Sequence, residues 1–425
     1  MTRYLVLAGL FVLSLITYID RAAISSAKQA IGAGLRLDDQ AMGAVFSAFA
    51  LGYAIAQIPA GWFADRAGPR LMLTCVVTLW SVFTALTGAA TGLWSLLAIR
   101  FAFGITEAGA FPGAARALYS WLPGAERGRA HGILFSGSRI GAACAFPLMN
   151  RLLASTSWRT VFALLSIPGL VWAALWAALF RNEPAAPPDR GTTMREDAGP
   201  GIPGQALAII RTRPVRLAMT QYFIANFITF LPLSWMLPYL IEHYRLPTAE
   251  ASYYATLPLL IGAAAQWISG FLVDALYRSG YRAGSRRLPA MLGFALAAAG
   301  AAAMPFAQTA PVAVAFFGIA TLGAELTISP SWTFCLDIAG KRSGEVTGTM
   351  NMAGNLGSFV SANGFPFLNR LTGGAGAYFG LVAALSAVAA LCWTGMGSEE
   401  APTDGRESLS AVAGIIRYIG VQTTR

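Results

Sequence analysis

About twelve apolar stretches of about 20 residues each divide this chain, and that spacing decides what it can fold into. A helix of about 20 residues crosses the ~30 Å hydrocarbon of a bilayer, and inside hydrocarbon only helices or a closed barrel satisfy their own backbone. The stretches run roughly from 4 to 27, 41 to 63, 71 to 91, 93 to 117, 129 to 153, 159 to 180, 215 to 241, 250 to 276, 287 to 307, 311 to 336, 344 to 368 and 375 to 396. Composition points the same way: 56% of the residues are hydrophobic and 12% charged, with a mean hydropathy of +0.57. Soluble domains carry about 25% charged residues. The sequence therefore predicts an all-α membrane protein of about 12 transmembrane helices. The first stretch reads as retained, since its apolar run outlasts a signal peptide and no A-x-A site precedes Asp20.

A formal charge of +10 and a pI near 9.8 would point a soluble protein toward nucleic acid. Here the basic residues gather between the apolar stretches, so they report topology and no nucleic-acid partner is expected. Alternate connections hold Arg66 and Arg70; Arg127 and Arg129; Arg181, Arg190, Arg195, Arg211 and Arg213; Arg278, Arg282, Arg286 and Arg287; Lys341 and Arg342. The opposite side holds only Lys28, Arg36, Arg151, Arg159, Arg245 and Arg370. The bias places both termini in the cytoplasm of a multi-pass cell-membrane protein, read as a bacterial inner-membrane protein.

The longest break, "RNEPAAPPDRGTTMREDAGPGIPGQ", is rich in Pro, Gly and charge and divides the spans six and six. Expected domains are a six-helix bundle over 1–182, a cytoplasmic linker over 183–213, a second six-helix bundle over 214–396 and a cytoplasmic tail over 397–425. A faint repeat links the halves. "ERGRAHGILFSGSRIGAACAFP" around Gly132 and Gly141 matches "KRSGEVTGTMNMAGNLGSFVSANGFP" around Gly348 and Gly357, with equal glycine spacing and a Phe-Pro after each. Spans five and eleven thus look like copies. Two parallel six-helix bundles of this kind are the arrangement of major facilitator transporters, whose substrate site lies at the midplane.

"GYAIAQIPAGWFADRAGPRLML" carries Gly61, Asp65, Arg66, Gly68 and Arg70 at the spacing G-x-x-x-D-R-x-G-x-R, which resembles the major facilitator loop motif between helices two and three. Gly61 permits close helix approach and Asp65 can cap a helix or pair with basic groups. The resemblance implies a gating latch and no substrate contact. A narrower resemblance rests on "YIDR" in span one, "FSAFALGYAIAQIPAGW" in span two, "RFAFGITEAGAFPGAARALYSWLPGAERGRAHG" in span four and "NMAGNLG" in span eleven. Together these are similar to the anion:cation symporter family, whose members move organic anions, often sugar acids, with protons. The resemblance implies proton-handling carboxylates at Asp20 and Glu107, carboxylate-binding arginines at Arg21 and Arg100, and polar site groups at Tyr18, Tyr53 and Asn355.

Spacing supports that assignment. Arg100 and Glu107 are seven residues apart, hence on one helix face and about 10.5 Å apart along the axis. Counting from the helix ends puts Asp20, Arg21 and Arg100 in the outer half of the membrane and Glu107 deeper. A substrate anion on Arg21 and Arg100 would offset their desolvation, while burial favours the neutral form of a carboxyl. In one reading Asp20 and Arg21 compensate each other in the empty site, and protonation of Asp20 frees Arg21 for substrate. In the other they form a fixed ion pair that locks helices, and Arg100 with Glu107 does the same.

One departure from the family stands in span five. After "SG", where a Gln is common, this chain has Ser138 followed by Arg139, which either faces the cavity to serve a second acidic group or contacts headgroups or a loop. Arg116 is expected at the cytoplasmic end in a topological role. Asn351 and Asn355 are i and i+4 on span eleven, able to bind hydroxyls or to join helices. Glu325, inside span ten, is a candidate by its charge alone, and Asp337 lies near that span's end. Pro232 and Pro238 break span seven. Trp235 and Tyr239 either close over a ligand or pack against other rings.

His131 and His243 fall at span ends and the four cysteines are scattered, so neither haem nor metal chemistry is expected. No G-x-x-x-x-G-K-[ST] loop is present. No cofactor is expected and the proton gradient is the driving force. The favoured reading is a monomeric secondary transporter, not an enzyme, with a small organic anion, protons and membrane lipid as its partners. The alternatives are a major facilitator exporter or uniporter of a small molecule, and a membrane anion sensor that transports nothing.

Overall fold

The computed structural model describes residues 2–184 and 210–396. The middle of the expected linker and the expected tail lie outside them. Fifteen α-helices follow one another among the described residues: α1 Arg3–Ser26, α2 Lys28–Leu35, α3 Asp39–Gly88, α4 Leu93–Glu107, α5 Ala110–Trp121, α6 Arg127–Ser155, α7 Trp158–Leu179, α8 Arg213–Ser234, α9 Met236–Tyr244, α10 Thr248–Arg278, α11 Arg282–Ala303, α12 Ala310–Leu326, α13 Ile328–Ala339, α14 Ser343–Thr372 and α15 Gly376–Thr394.

Nine stretches among the described residues are long and apolar enough to cross a membrane, or ten with the bent pair α8 and α9 taken as one span. Two of the ten are too long for one crossing. Gln40–Gly88 has 49 residues and Ala310–Thr372 has 63, or ~74 and ~95 Å of helix against ~30 Å of hydrocarbon. Each holds two crossings, which gives the twelve that the sequence predicts. The first is divided at Gly68, whose φ of 78° lies in the left-handed region open to glycine. The second is divided at the short 3-10 turn Gly340–Arg342. Span seven bends by 48° where α8 meets α9, because Pro238 has no N–H for the carbonyl one turn back. Large apolar side chains face outward, among them Ile55 at 59%, Leu175 at 56% and Leu391 at 67% exposure. So many exposed apolar side chains suit lipid and not water. The chain is an all-helical, multi-pass membrane protein.

The described chain forms two compact units. Unit 1 comprises Met1–Pro123, Leu134–Ile210 and Ile338–Met352, and unit 2 comprises Gly124–Ile133, Arg211–Asp337 and Ala353–Arg425. Each unit thus includes a short segment from the sequence half that supplies most of the other. In unit 1, Asp38 caps α3 by accepting the Ala41 N–H at 2.8 Å, and Ser157 caps α7 by accepting that of Thr160 at 3.2 Å. A buried apolar cluster including Ile24, Met42, Val45, Leu96 and Phe162 joins α1, α3, α4 and α7.

Candidate functional site

The charged residues of unit 1 are brought together by close packing of α3 on α4. A Cβ at Gly52 would stand 2.2 Å from the Phe101 carbonyl oxygen, and one at Gly104 would stand 2.2 Å from that of Phe49. No other residue tolerates such an approach. Phe49 and Tyr53 therefore face Arg100 and Glu107 at short range. Arg21, from α1, donates its Nε to Glu107 Oε1 in an ion pair whose side chains are 19% and 0% exposed. Its guanidinium lies 4.5 Å from the Tyr53 ring centre, 5.1 Å from Tyr18 and 5.5 Å from Phe49. That of Arg100 lies 4.6 Å from Phe103 and 4.8 Å from the same Phe49. Rings hold a cation without neutralising it, so both arginines keep their attraction for an anion. Asp20 and Arg100 are each 3% exposed, and Asp20 Oδ2 and Arg100 Nε have no hydrogen-bond partner among the described residues.

The pairing differs from the one expected. Arg21 takes Glu107 and not its chain neighbour Asp20, because adjacent helical residues point about 100° apart. Glu107 also stands level enough with Arg21 to touch it, since counting along the backbone neglects the reach of a long guanidinium side chain.

A chain of polar contacts continues from this pair. Asn351 donates Nδ2 to the Tyr53 hydroxyl at 3.3 Å and to Gln57 Oε1 at 3.1 Å. Gln57 is fully buried and escapes the sequence reading, although its place one turn after Tyr53 in "YAIAQIPAG" is a signal. Ser138 donates to the Phe135 carbonyl of its own helix at 2.5 Å. Arg139 is half-buried on α6, and Asn355, also half-buried, belongs to unit 2.

The loop-motif residues divide their work. Asp65 accepts the N–H groups of Gly344 and Glu345, both at 2.8 Å. These are orphan donors in the first turn of α14, where a carboxylate also meets the positive end of the helix dipole. Gly61 makes room, since a Cβ there would stand 2.3 Å from the Gly344 oxygen. Arg116, expected to be topological, sits with its Nε 3.7 Å from Asp65. Arg70 donates its Nε to the Ala177 carbonyl and its backbone N–H to Asn182 Oδ1, both at 2.9 Å. Arg66 is exposed, with its guanidinium 5.5 Å from the Trp62 ring.

Unit 2 contains a clamp of the same design. Asp274 accepts the N–H of Gly128 at 2.8 Å, that of Arg129 at 3.1 Å and Arg129 Nε at 2.9 Å, at the start of α6. The signal is a second copy of one pattern: "QIPAGWFAD" over 57–65 and "QWISGFLVD" over 266–274 share Q-x-x-x-G-x-x-x-D. Asp337 takes Arg127 Nη1 and Arg286 Nε, both at 3.0 Å. Trp235 donates its indole N–H to the Ala362 carbonyl at 3.0 Å, and the ring of Tyr239 packs among Phe317, Phe365 and Phe379.

Comparison with known proteins extends this picture. A model of the Major Facilitator Superfamily matches residues 10–362. The chain is 33% identical to a probable sulfoacetate transporter of Cupriavidus necator, covering 92% of this chain and 93% of the relative. It is 31% identical to a D-galactonate transporter of Escherichia coli, covering 84% and 87%. Solved structures with the same fold include the E. coli fucose:proton symporter, with a TM-score of 0.71, 14% identity and coverage of 93% and 98%. The human organic anion transporter MFSD10 gives a TM-score of 0.74, 12% identity and coverage of 92% and 100%.

Proposed function

We propose, on the premise that this chain belongs to the major facilitator superfamily and is a transporter, that it carries a small organic anion inward across the membrane by proton-coupled symport. One observation carries the reading: Arg100, buried, and Arg21, half-buried, stand among aromatic rings beside two buried carboxyls, with Arg21 gripped by Glu107. Four ionisable groups at membrane depth are too costly to keep for packing alone. A substrate carboxylate or sulfonate competes with Glu107 for Arg21, and a proton on Glu107 settles that competition in favour of the substrate. Proton and substrate therefore assist each other's binding, which is the thermodynamic requirement for symport.

The transporters named for sulfoacetate and D-galactonate support an organic acid as the cargo. Asp20 and Glu107 are the proton carriers in this reading, Arg21 and Arg100 the anion grip, and Tyr18, Tyr53 and Asn351 its polar surround. Ser138, whose hydroxyl is engaged with its own helix, contributes less than these, and Arg139 completes the candidate contacts of unit 1. The Asp65 clamp on α14 is the latch of one conformational state. The protein works as a monomer in a bacterial inner membrane with both termini in the cytoplasm.

Proteoliposomes loaded at neutral pH and diluted into acidic buffer provide the test. Sulfoacetate, galactonate and simple mono- and dicarboxylates are offered in turn. Accumulation above equilibrium of one of them, abolished by a protonophore, is expected. Facilitated flux that ignores the pH gradient would make the protein a uniporter, and stabilising binding without flux would make it a sensor.

A further inference from the structure

Glu325 is buried, 2% exposed, near the end of α12, and plays no part in the site of unit 1. Its setting repeats that of Glu107. "TEAGAFP" over 106–112 and "AELTISP" over 324–330 both place a proline five residues after the glutamate. In both, the helix stops at or just after the glutamate and restarts within three residues: α4 ends at Glu107 and α5 begins at Ala110, while α12 ends at Leu326 and α13 begins at Ile328. The cause is shared. Pro112 and Pro330 offer no N–H to the carbonyls of Ala108 and Leu326, so the α-helical ladder fails next to the carboxyl. At Leu326 the missing donor is replaced by Ser269 Oγ at 2.6 Å.

The partners differ. Where Glu107 meets the guanidinium of Arg21, Glu325 meets an amide: Gln266 donates its Nε2 to Glu325 Oε2. Gln266 is 1% exposed and its Oε1 has no hydrogen-bond partner among the described residues, nor has Thr321 Oγ1, one turn before Glu325. Gly262 leaves the space, since a Cβ there would stand 3.3 Å from Glu325 Cγ. A primary amide serves either protonation state of a carboxyl. Its N–H donates to the carboxylate, and its oxygen accepts from the protonated acid. A guanidinium can do only the first. The unpartnered Gln266 Oε1 is thus an acceptor waiting for a proton that Glu325 can carry. On the helices packed against α12, Asp274 of α10 is engaged by Arg129, Arg286 of α11 by Asp337, and Tyr222 of α8 by the Trp332 indole.

We infer that Glu325, held by Gln266, is a second proton-binding carboxyl in the second half of the repeat, taking a proton from water and returning it within each transport cycle. Its role in the cycle rests on the proton-coupled reading above, but its proton binding can be tested alone.

Infrared difference spectra of the purified protein, titrated from about pH 5 to about pH 9, separate the carbonyl stretch of a protonated carboxylic acid from the carboxylate bands. Subtracting Glu325→Gln from wild type should reveal one carboxylic-acid band that appears as pH falls, and Gln266→Leu should move its midpoint while Glu325 remains. A difference spectrum without that band at any pH, or with it at every pH, overturns the proposal. Should Glu325→Gln fail to fold, Gln266→Leu alone decides: a titrating acid band that moves supports the proposal, and an unchanged titration defeats it. In proteoliposomes, fewer protons should enter per substrate in Glu325→Gln than in wild type. A titrating Glu325 in a protein whose flux ignores pH would leave the site standing and remove the symport reading.

Discussion

Glu107→Gln isolates the step on which coupling depends. The variant keeps the shape of residue 107 and removes the charge opposite Arg21, in a pair whose side chains are 0% and 19% exposed. Breaking a buried pair by deleting one partner costs about 3–5 kcal/mol. Arg21 keeps its three aromatic neighbours and the glutamine oxygen still accepts one hydrogen bond, so the low end, about 3 kcal/mol, applies. Two effects follow from that one figure. The empty protein loses thermal stability. The substrate no longer competes with a carboxylate, so its affinity rises, by as much as about 100-fold if the whole figure is recovered on binding. The sign of the pH effect is fixed by reciprocity: protons on Glu107 favour substrate, so wild-type affinity climbs as pH falls, and the variant loses that part of the slope. The assay is substrate affinity across pH by titration calorimetry, with melting temperature measured with and without saturating substrate. A variant that melts earlier, binds no more tightly and keeps the wild-type pH slope would refute the competition and leave the pair a structural tie.

Arg21→Lys and Arg100→Lys keep charge but lose the planar two-point grip, and each should reduce uptake at least about 10-fold at normal surface expression; near wild-type uptake would remove that arginine from the site. Asp65→Asn keeps one acceptor and sets an NH2 group against a backbone N–H, weakening the clamp by about 1.5–3 kcal/mol. Amide exchange at Gly344 and Glu345 should accelerate at least about 10-fold while Gly128 and Arg129 are unchanged, and Asp274→Asn should do the reverse. Gln57→Leu and Asn351→Leu should each lower stability, and the double variant should lose about 1 kcal/mol less than the two losses combined, because they share one hydrogen bond; strict additivity would mean that the bond is absent in solution.

The spans and the loop motif were legible in the sequence, and Asp20, Arg21, Arg100 and Glu107 stand out there as candidates, because charge in an apolar run and glycine at fixed spacing are one-dimensional signals. Which acid meets which arginine was not. That depends on how α1 is rotated against α4, which brings together Arg21 and Glu107 from positions 86 residues apart in the chain. Gln57 went unread because a single amide in an apolar run carries no charge to mark it. Asp274 went unread because its loop keeps the Gly and Asp of the pattern but lacks the D-R-x-G-x-R signature that announces Asp65. The hydroxyl of Ser138, spent on its own helix, illustrates a limit of inventories: a polar residue beside a site is available only if its backbone leaves it free.

The two halves show how one skeleton supports different chemistry. Gln57 and Gln266 occupy the same position in the repeated pattern, eight residues before Asp65 and Asp274. The first binds Asn351 and the second binds Glu325. Likewise Glu107 and Glu325 share a proline-broken helix, yet one faces a guanidinium and the other an amide. An anion that takes Arg21 from Glu107 changes the charge balance of that carboxyl directly. No such exchange is open at Gln266, since an amide has no charge to give to a substrate. On the proposals above, Glu107 therefore responds to both substrate and proton, while Glu325 responds to the proton and reaches the substrate only through the conformational equilibrium. A carboxyl that senses the proton without meeting the cargo can give up its proton after the cargo has left, so that substrate release and proton release become separate steps of the cycle.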